Sequence, residues 1–315
     1  MFRKLFIHSI LFVAVVCIGS NIGSAQNTAA PLPPGKLVDI GTHRLHLQCS
    51  GTGEPTVILE SGLGGYSFEW GLVQPQLANF TRVCTYDRAS YAWSETGPEP
   101  RGLRTSVNEL HLLLKKEKIN GPYVLVGQSW GGRIVRLFAH TYPQESAGMV
   151  LIDTYSEGKA KVPAELLDFD LREVEEKDPA ESLPLTLRNY YTWALAKKRQ
   201  GDVTDPTVDP GTLMESTTAS SKSPLGDRPL IVISAGRMSY GADDRKEGTS
   251  LRDKLHDHVS GEAFLATLSR NSKFIVAKQS FHKVHLYEPA IVADAIRQVV
   301  MSVRSRQRLD SKAKP

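Results

Sequence analysis

The residues best arranged for chemistry are Gly127-Gln128-Ser129-Trp130-Gly131. A serine hydroxyl attacks a carbonyl only when it stands clear of the backbone, and a tight strand-to-helix turn puts it there. That turn strains the serine, and side chains two residues to either side would collide; glycine at both places removes the collision. The pentapeptide alone is weak evidence. Its flanks strengthen it. Tyr123 to Val126 is a short apolar run suited to a buried parallel strand, and Gly132 to His140 places Ile134, Val135, Leu137 and Phe138 on one helix face. The pattern predicts Ser129 as a nucleophile, against the alternative of a serine in an ordinary glycine-rich turn.

A second group with suggestive chemistry is His256 and His258 beside Asp253 and Asp257. These are metal-ligand residue types, but residues two apart on a helix point apart. The expectation here is a solvated, charged face and no metal site.

Strands and helices alternate around the serine. Leu37 to Ile40 and His43 to Cys49 read as a hairpin, and Pro55 to Glu60 as a strand running into Ser61-Gly62-Leu63-Gly64-Gly65. Thr81 to Tyr86 is another strand, and Leu103 to Ile119 an amphipathic helix closed by Asn120-Gly121. After the Ser129 unit, Gly148 to Ile152 is a strand ending at Asp153. Pro229 to Ser234 and Lys273 to Ala277 supply two more, with helices at Leu251 to Leu268 and Pro289 to Val303. This alternation predicts an α/β fold with a largely parallel sheet covered on both faces. It breaks at residues 156–224, a polar stretch helical in patches (Ala164 to Val174, Leu185 to Arg199) that carries Phe169, Tyr190, Tyr191 and Trp193. We read it as an inserted helical cap, with the aromatic residues holding it onto the core rather than lining an acyl pocket. The core is then residues 26–155 and 225–303.

The ends differ from the body. Arg3 and Lys4, the apolar run Leu5 to Ile18 and the small residues Gly23-Ser24-Ala25 read as a secretory signal, residues 1–25, cleaved after Ala25 and taking Cys17 with it. The run is short for a membrane span, so no stable membrane insertion is expected after cleavage. The formal charge of +4 misleads: Arg3 and Lys4 leave with the signal, and the tail, residues 304–315, holds five basic residues against Asp310. The body between is slightly acidic, which excludes an electrostatic footprint for nucleic acid. Cys49 and Cys84 remain. In an oxidising compartment an even pair suggests a disulfide, with two buried thiols as the alternative.

Four motifs in order make the chain similar to the α/β-hydrolase superfamily over nearly all of the length after the signal. Ser61-Gly62-Leu63-Gly64-Gly65 resembles the H-G-x-x-G oxyanion loop with Ser in place of His. The stretch from Asp87 to Ser94 resembles D-R-x-G-x-G-x-S, with Ser90 and Ala92 replacing its glycines. The serine elbow matches fully. Phe281-His282-Lys283-Val284-His285-Leu286 resembles the G-H-x-x-H-L segment, with Phe281 in place of Gly.

The resemblance implies an eight-stranded, mostly parallel sheet with helices on both faces, a helical cap after the sixth strand and a triad in the order Ser, acid, His. His282 is then the base, His285 a packing residue, and the amides of Leu63 and Trp130 the oxyanion donors. The family's usual acid follows the seventh strand as G-x-x-D, but Gly236-Arg237-Met238-Ser239 has serine there. Asp153, at the alternative place after the sixth strand, is preferred over Asp243 or Asp244. The resemblance also sets the second strand antiparallel to the fourth, pairing Cys49 with Cys84. The expected protein is a secreted or periplasmic serine hydrolase of small carboxylic esters with no metal or organic cofactor. The alternatives are a catalytically silent binding protein of the same fold, or a peptidase, thioesterase, lactonase or C–C hydrolase on the same triad.

Overall fold

The computed structural model describes residues 30–309, except 170–175, 177, 179–180, 182, 200–222, 240–243 and 245–246. The signal reading and Asp243 therefore lie outside the described residues. Eight strands form one sheet: β1 Lys36–Asp39, β2 Arg44–Ser50, β3 Val57–Glu60, β4 Val83–Tyr86, β5 Tyr123–Gln128, β6 Ser146–Ile152, β7 Leu230–Ala235 and β8 Ser272–Ala277. Their spatial order is β1-β2-β4-β3-β5-β6-β7-β8. The pairs β1·β2 and β2·β4 are antiparallel; every other pair is parallel.

The central strands are apolar on both sides because helices cover both faces. On one face lie α2 (Leu103–Lys116) and α3 (Trp130–Thr141), packing Leu110, Leu113, Ile134 and Phe138 against Ile58, Leu125 and Leu151. On the other, α1 (Gln74–Ala78) and α7 (Pro289–Ser305) pack Leu77, Val292, Ile296 and Val300 against Val57, Val124, Val150 and Ile231.

Between β6 and β7 the described residues include a 3₁₀ turn, Ala164–Leu166, and helix α4, Leu185–Arg199. The helix expected over Ala164 to Val174 is not there as far as Phe169. The chain leaves the turn at Leu167, and Leu167 and Phe169 pack instead against Val259 and Val276. From α4, Tyr191 and Trp193 are buried with Tyr66, Phe68 and Trp93. Helix α5, Leu251–Leu265, follows β7, and the short α6, Val284–Tyr287, precedes α7. Cys49 and Cys84 stand opposite each other on β2 and β4 and are joined by a disulfide.

Candidate active site

Strand β5 ends at Gln128, and Ser129 turns the chain into α3 with φ 53° and ψ −121°. The glycines around it are spatial requirements. A Cβ on Gly127 would lie 2.5 Å from the Gly131 carbonyl oxygen, and one on Gly131 would lie 2.5 Å from that of Glu60. A Cβ on Gly132 would strike Thr154, whose hydroxyl donates to the Ser129 carbonyl at 2.6 Å. The elbow is thus clamped between β3, β6 and its own helix.

Next to β5, β6 runs out into Asp153, another non-glycine residue with positive φ (42°). Its amide donates to the Ile233 carbonyl, and its Oδ1 accepts the Ala235 amide at 2.7 Å. These bonds to β7 turn the carboxylate toward the loop after β8. There His282 Nδ1 lies 2.6 Å from Asp153 Oδ2, and His282 Nε2 lies 2.9 Å from Ser129 Oγ. Three residues from three strand ends, far apart in sequence, form one hydrogen-bonded chain.

Burial alone would raise the Asp153 carboxyl, but hydrogen bonds from His258 and His282 override it and hold it far below the usual carboxylate range. Burial lowers His282, yet the hydrogen bond and charge of Asp153 outweigh it, so the imidazole is raised above its ordinary value.

Asp244 takes no part in this chain; it pairs with Lys254 at 2.5 Å. His285 is fully buried, its ring 4.6 Å from that of Trp70 and its Nε2 3.7 Å from Glu69. The solvated-face reading of the 256–258 pair needs correction. His256 is exposed, as expected, but His258 turns inward and its Nε2 lies 2.8 Å from Asp153 Oδ1. Residues two apart do point apart; one of the two faces the core.

The Ser61-Gly62-Leu63-Gly64-Gly65 loop is held from below by an ion pair. Glu60 and Arg88 are both buried and meet at 2.5 Å, and Arg88 donates to the carbonyls of Ser61 and Gly62. Gly64 takes a positive φ (70°) and the Gly65 amide donates to the Gly62 carbonyl, which closes the loop tightly beside Ser129. A Cβ on Gly62 would lie 3.1 Å from that of Ser129. Leu63 is half exposed at the tip, and Trp130 opens α3, where amides have no intrahelical acceptor.

This sheet order, the strand-end chain of three side chains and the loop beside them match a known fold. Residues 55–207 match the family described as alpha/beta hydrolase fold. The chain has the α/β-hydrolase fold. Among solved structures, one described as a thermophilic esterase from Thermogutta terrifontis superposes with a TM-score of 0.56 at 21% identity, covering 85% of this chain and 99% of that one. The Bacillus subtilis protein YqjL is 27% identical over 252 residues, 79% of this chain and 85% of its own. A Hormonema carpetanum protein named as a transporter, efuK, is 36% identical over 130 residues, which is 38% of this chain and 18% of that protein.

Several side chains around this site were not singled out by sequence reasoning. Gln128 donates to the His282 carbonyl at 3.1 Å and so ties the elbow to the histidine loop. Glu69 is buried, accepts from Tyr191 of α4 and from Lys283 at 2.7 Å, and links the cap-side helix to the residue after His282. Lys283 was legible only as the neighbour of His282 and Tyr191 only as one of the aromatic residues expected to hold residues 156–224 onto the core; Glu69 carries no signal until the fold brings the three together.

Proposed function

We propose that the protein is a secreted or periplasmic serine hydrolase that cleaves carboxylic esters through an acyl-enzyme. The observation that carries this reading is the unbroken chain Ser129 Oγ–His282 Nε2, His282 Nδ1–Asp153 Oδ2. In the first step, His282 takes the Ser129 proton as Oγ attacks the ester carbonyl, and Asp153 stabilises the imidazolium. The oxyanion forms between the Leu63 and Trp130 amides, one on the loop fixed by Arg88 and the other at the start of α3. His282 then returns its proton to the leaving alcohol. Water repeats the sequence on the acyl-serine, restoring the enzyme.

The similarity to a described esterase supports ester chemistry within a family whose elbow serves many bonds. The disulfide is compatible with an oxidising compartment.

Treatment with a fluorophosphonate followed by peptide mass spectrometry tests the reading. The adduct is expected on the peptide containing Ser129, and Ser129→Ala is expected to lose both labelling and hydrolysis of p-nitrophenyl esters. An adduct elsewhere, or full turnover by Ser129→Ala, would refute it.

A further inference from the structure

Asp153 is contacted by two histidines. His282 meets Oδ2, and from the opposite side His258 Nε2 meets Oδ1 at 2.8 Å, next to the Ala235 amide at 2.7 Å. Both carboxylate oxygens are therefore engaged, and the plane of the group is fixed at each end. His258 and Glu262 are four residues apart on α5, so both fall on the face turned to β6 and β7. Glu262 is fully buried, and each of Asp153, His258 and Glu262 brings a nitrogen or oxygen to within 4.8 Å of the others. Two carboxyl groups that close cannot both carry charge out of water. Burial and the Asp153 charge push the Glu262 carboxyl well above the usual range, so Asp153 carries the negative charge.

We infer that His258 is a positioning residue for the acid: it donates to Asp153 Oδ1 and thereby aims Oδ2 at His282. The inference rests on the proposed serine-hydrolase reading. Without His258 the Ala235 amide is the one donor shown to Oδ1; the second histidine doubles the hold on that oxygen and stiffens the carboxylate against rotation about its Cβ–Cγ bond. The charged and titratable groups facing this point are Asp153 at the end of β6, His258 and Glu262 on α5, and His282 on the loop after β8. His282 itself also feels Glu176 and Lys283.

The test is steady-state hydrolysis of a p-nitrophenyl ester by wild type, Ser129→Ala, His258→Ala, His258→Asn and His258→Gln, each across the pH range of activity. Asn cannot reach Oδ1, whereas the Gln amide nitrogen stands near the place of Nε2. His258→Ala and His258→Asn are expected to lose about 10- to 100-fold in kcat with KM unchanged within about twofold. His258→Gln is expected to recover most of the loss. With one donor gone the Asp153 carboxylate binds the imidazolium more strongly, so the acid limb of kcat/KM moves to higher pH in the Ala and Asn variants. Turnover and pH profile of both variants at wild-type level would overturn the inference, as would a loss that appears in KM alone. A saturable thermal shift with zinc ion, removed in Glu262→Gln, would overturn it too, because the cluster would then be a cation site. Absence of ester hydrolysis by wild type, or activity in Ser129→Ala, marks failure of the hydrolase reading itself; a dead Ser129→Ala beside an unimpaired His258→Ala marks failure of this inference alone.

Discussion

His282 stands between two opposing demands. Burial favours the neutral imidazole and Asp153 favours the cation; the aspartate prevails, so the group titrates above its ordinary value near 6.5. A general base must be neutral to accept the serine proton. Activity is therefore expected to fall on the acid side with an apparent pKa above 6.5, read from the pH dependence of kcat/KM. Asp153→Asn keeps the shape but neither orients the ring in the same tautomer nor stabilises the cation. It is expected to lose about 10⁴-fold in kcat and to move the acid limb downward. An Asp153→Asn enzyme of normal turnover would assign the acid elsewhere. Ser129 was legible because its elbow demands glycine on both sides, and His282 because its segment resembles G-H-x-x-H-L. Asp153 was legible through the resemblance, as the residue after the sixth strand where the family can place its acid when the usual G-x-x-D is missing. His258 was not: whether it faces solvent or sheet depends on the rotation of α5, which its weakly patterned sequence does not announce.

The elements carry their own constraints. Gly131 approaches the carbonyl oxygens of Glu60 and Ser61 at 2.5 and 2.7 Å from a built Cβ, and both belong to the backbone that leads into the Ser61-Gly62-Leu63-Gly64-Gly65 loop. Neither can swing aside. Gly131→Ala is expected to cost about 2 to 3 kcal/mol in urea unfolding and to impair turnover by displacing the loop. The end of α2 offers the opposite case. Lys118 is exposed in a left-handed conformation (φ 53°), and the Ile119 amide donates back to the Leu114 carbonyl. Glycine suits that position better than lysine, so Lys118→Gly is expected to stabilise the fold by about 0.5 to 1 kcal/mol, read as a raised Tm. Ser90 and Ala92 show how far a motif can drift: they stand where the family pattern has glycine, yet keep positive φ of 71° and 38°. The sequence pattern located that loop despite the substitutions because the flanking Asp87 and Arg88 are anchored. Asp87 accepts the Ser67 amide, and Arg88 binds Glu60. The expected helix breaks off at Leu167 to Phe169 for the complementary reason. Its apolar residues at Leu167 and Phe169 answer to a neighbouring cluster on α5 and β8, not to a helical period.

At the scale of the molecule, two links join distant segments. The disulfide closes 35 residues between Cys49 and Cys84, worth about 3 to 4 kcal/mol by the chain-entropy relation. Iodoacetamide is expected to find neither thiol in the denatured, unreduced protein and both after reduction. The other link is Glu69, whose carboxyl burial would raise but which Lys283 and His285 bring down to about 2. A depressed carboxyl stabilises the fold fully above its unfolded value near 4.5, and this contribution, on the order of 3 kcal/mol, is lost as pH falls toward 2. The stability gap between wild type and Glu69→Gln in urea is thus expected to be constant near neutrality and to close below pH 4.5. A gap that persists unchanged into acid would show that Glu69 acts through packing alone. The largely parallel sheet was legible from the alternation of strands and helices, whereas its eight strands and the antiparallel pairing of β2 with β4 came from the family resemblance. The Glu69 link was not, since it joins residues 69, 191 and 283, which no local period relates.

Helix α4 also stacks Trp193 on Trp93, with ring centroids 5.2 Å apart and planes inclined by 30°. Two indoles that close share their excited state, so this seam carries its own optical label. Their coupling should appear as a paired band in circular dichroism that Trp93→Phe or Trp193→Phe abolishes, and its fading during catalysis would time any lifting of α4 without an attached dye.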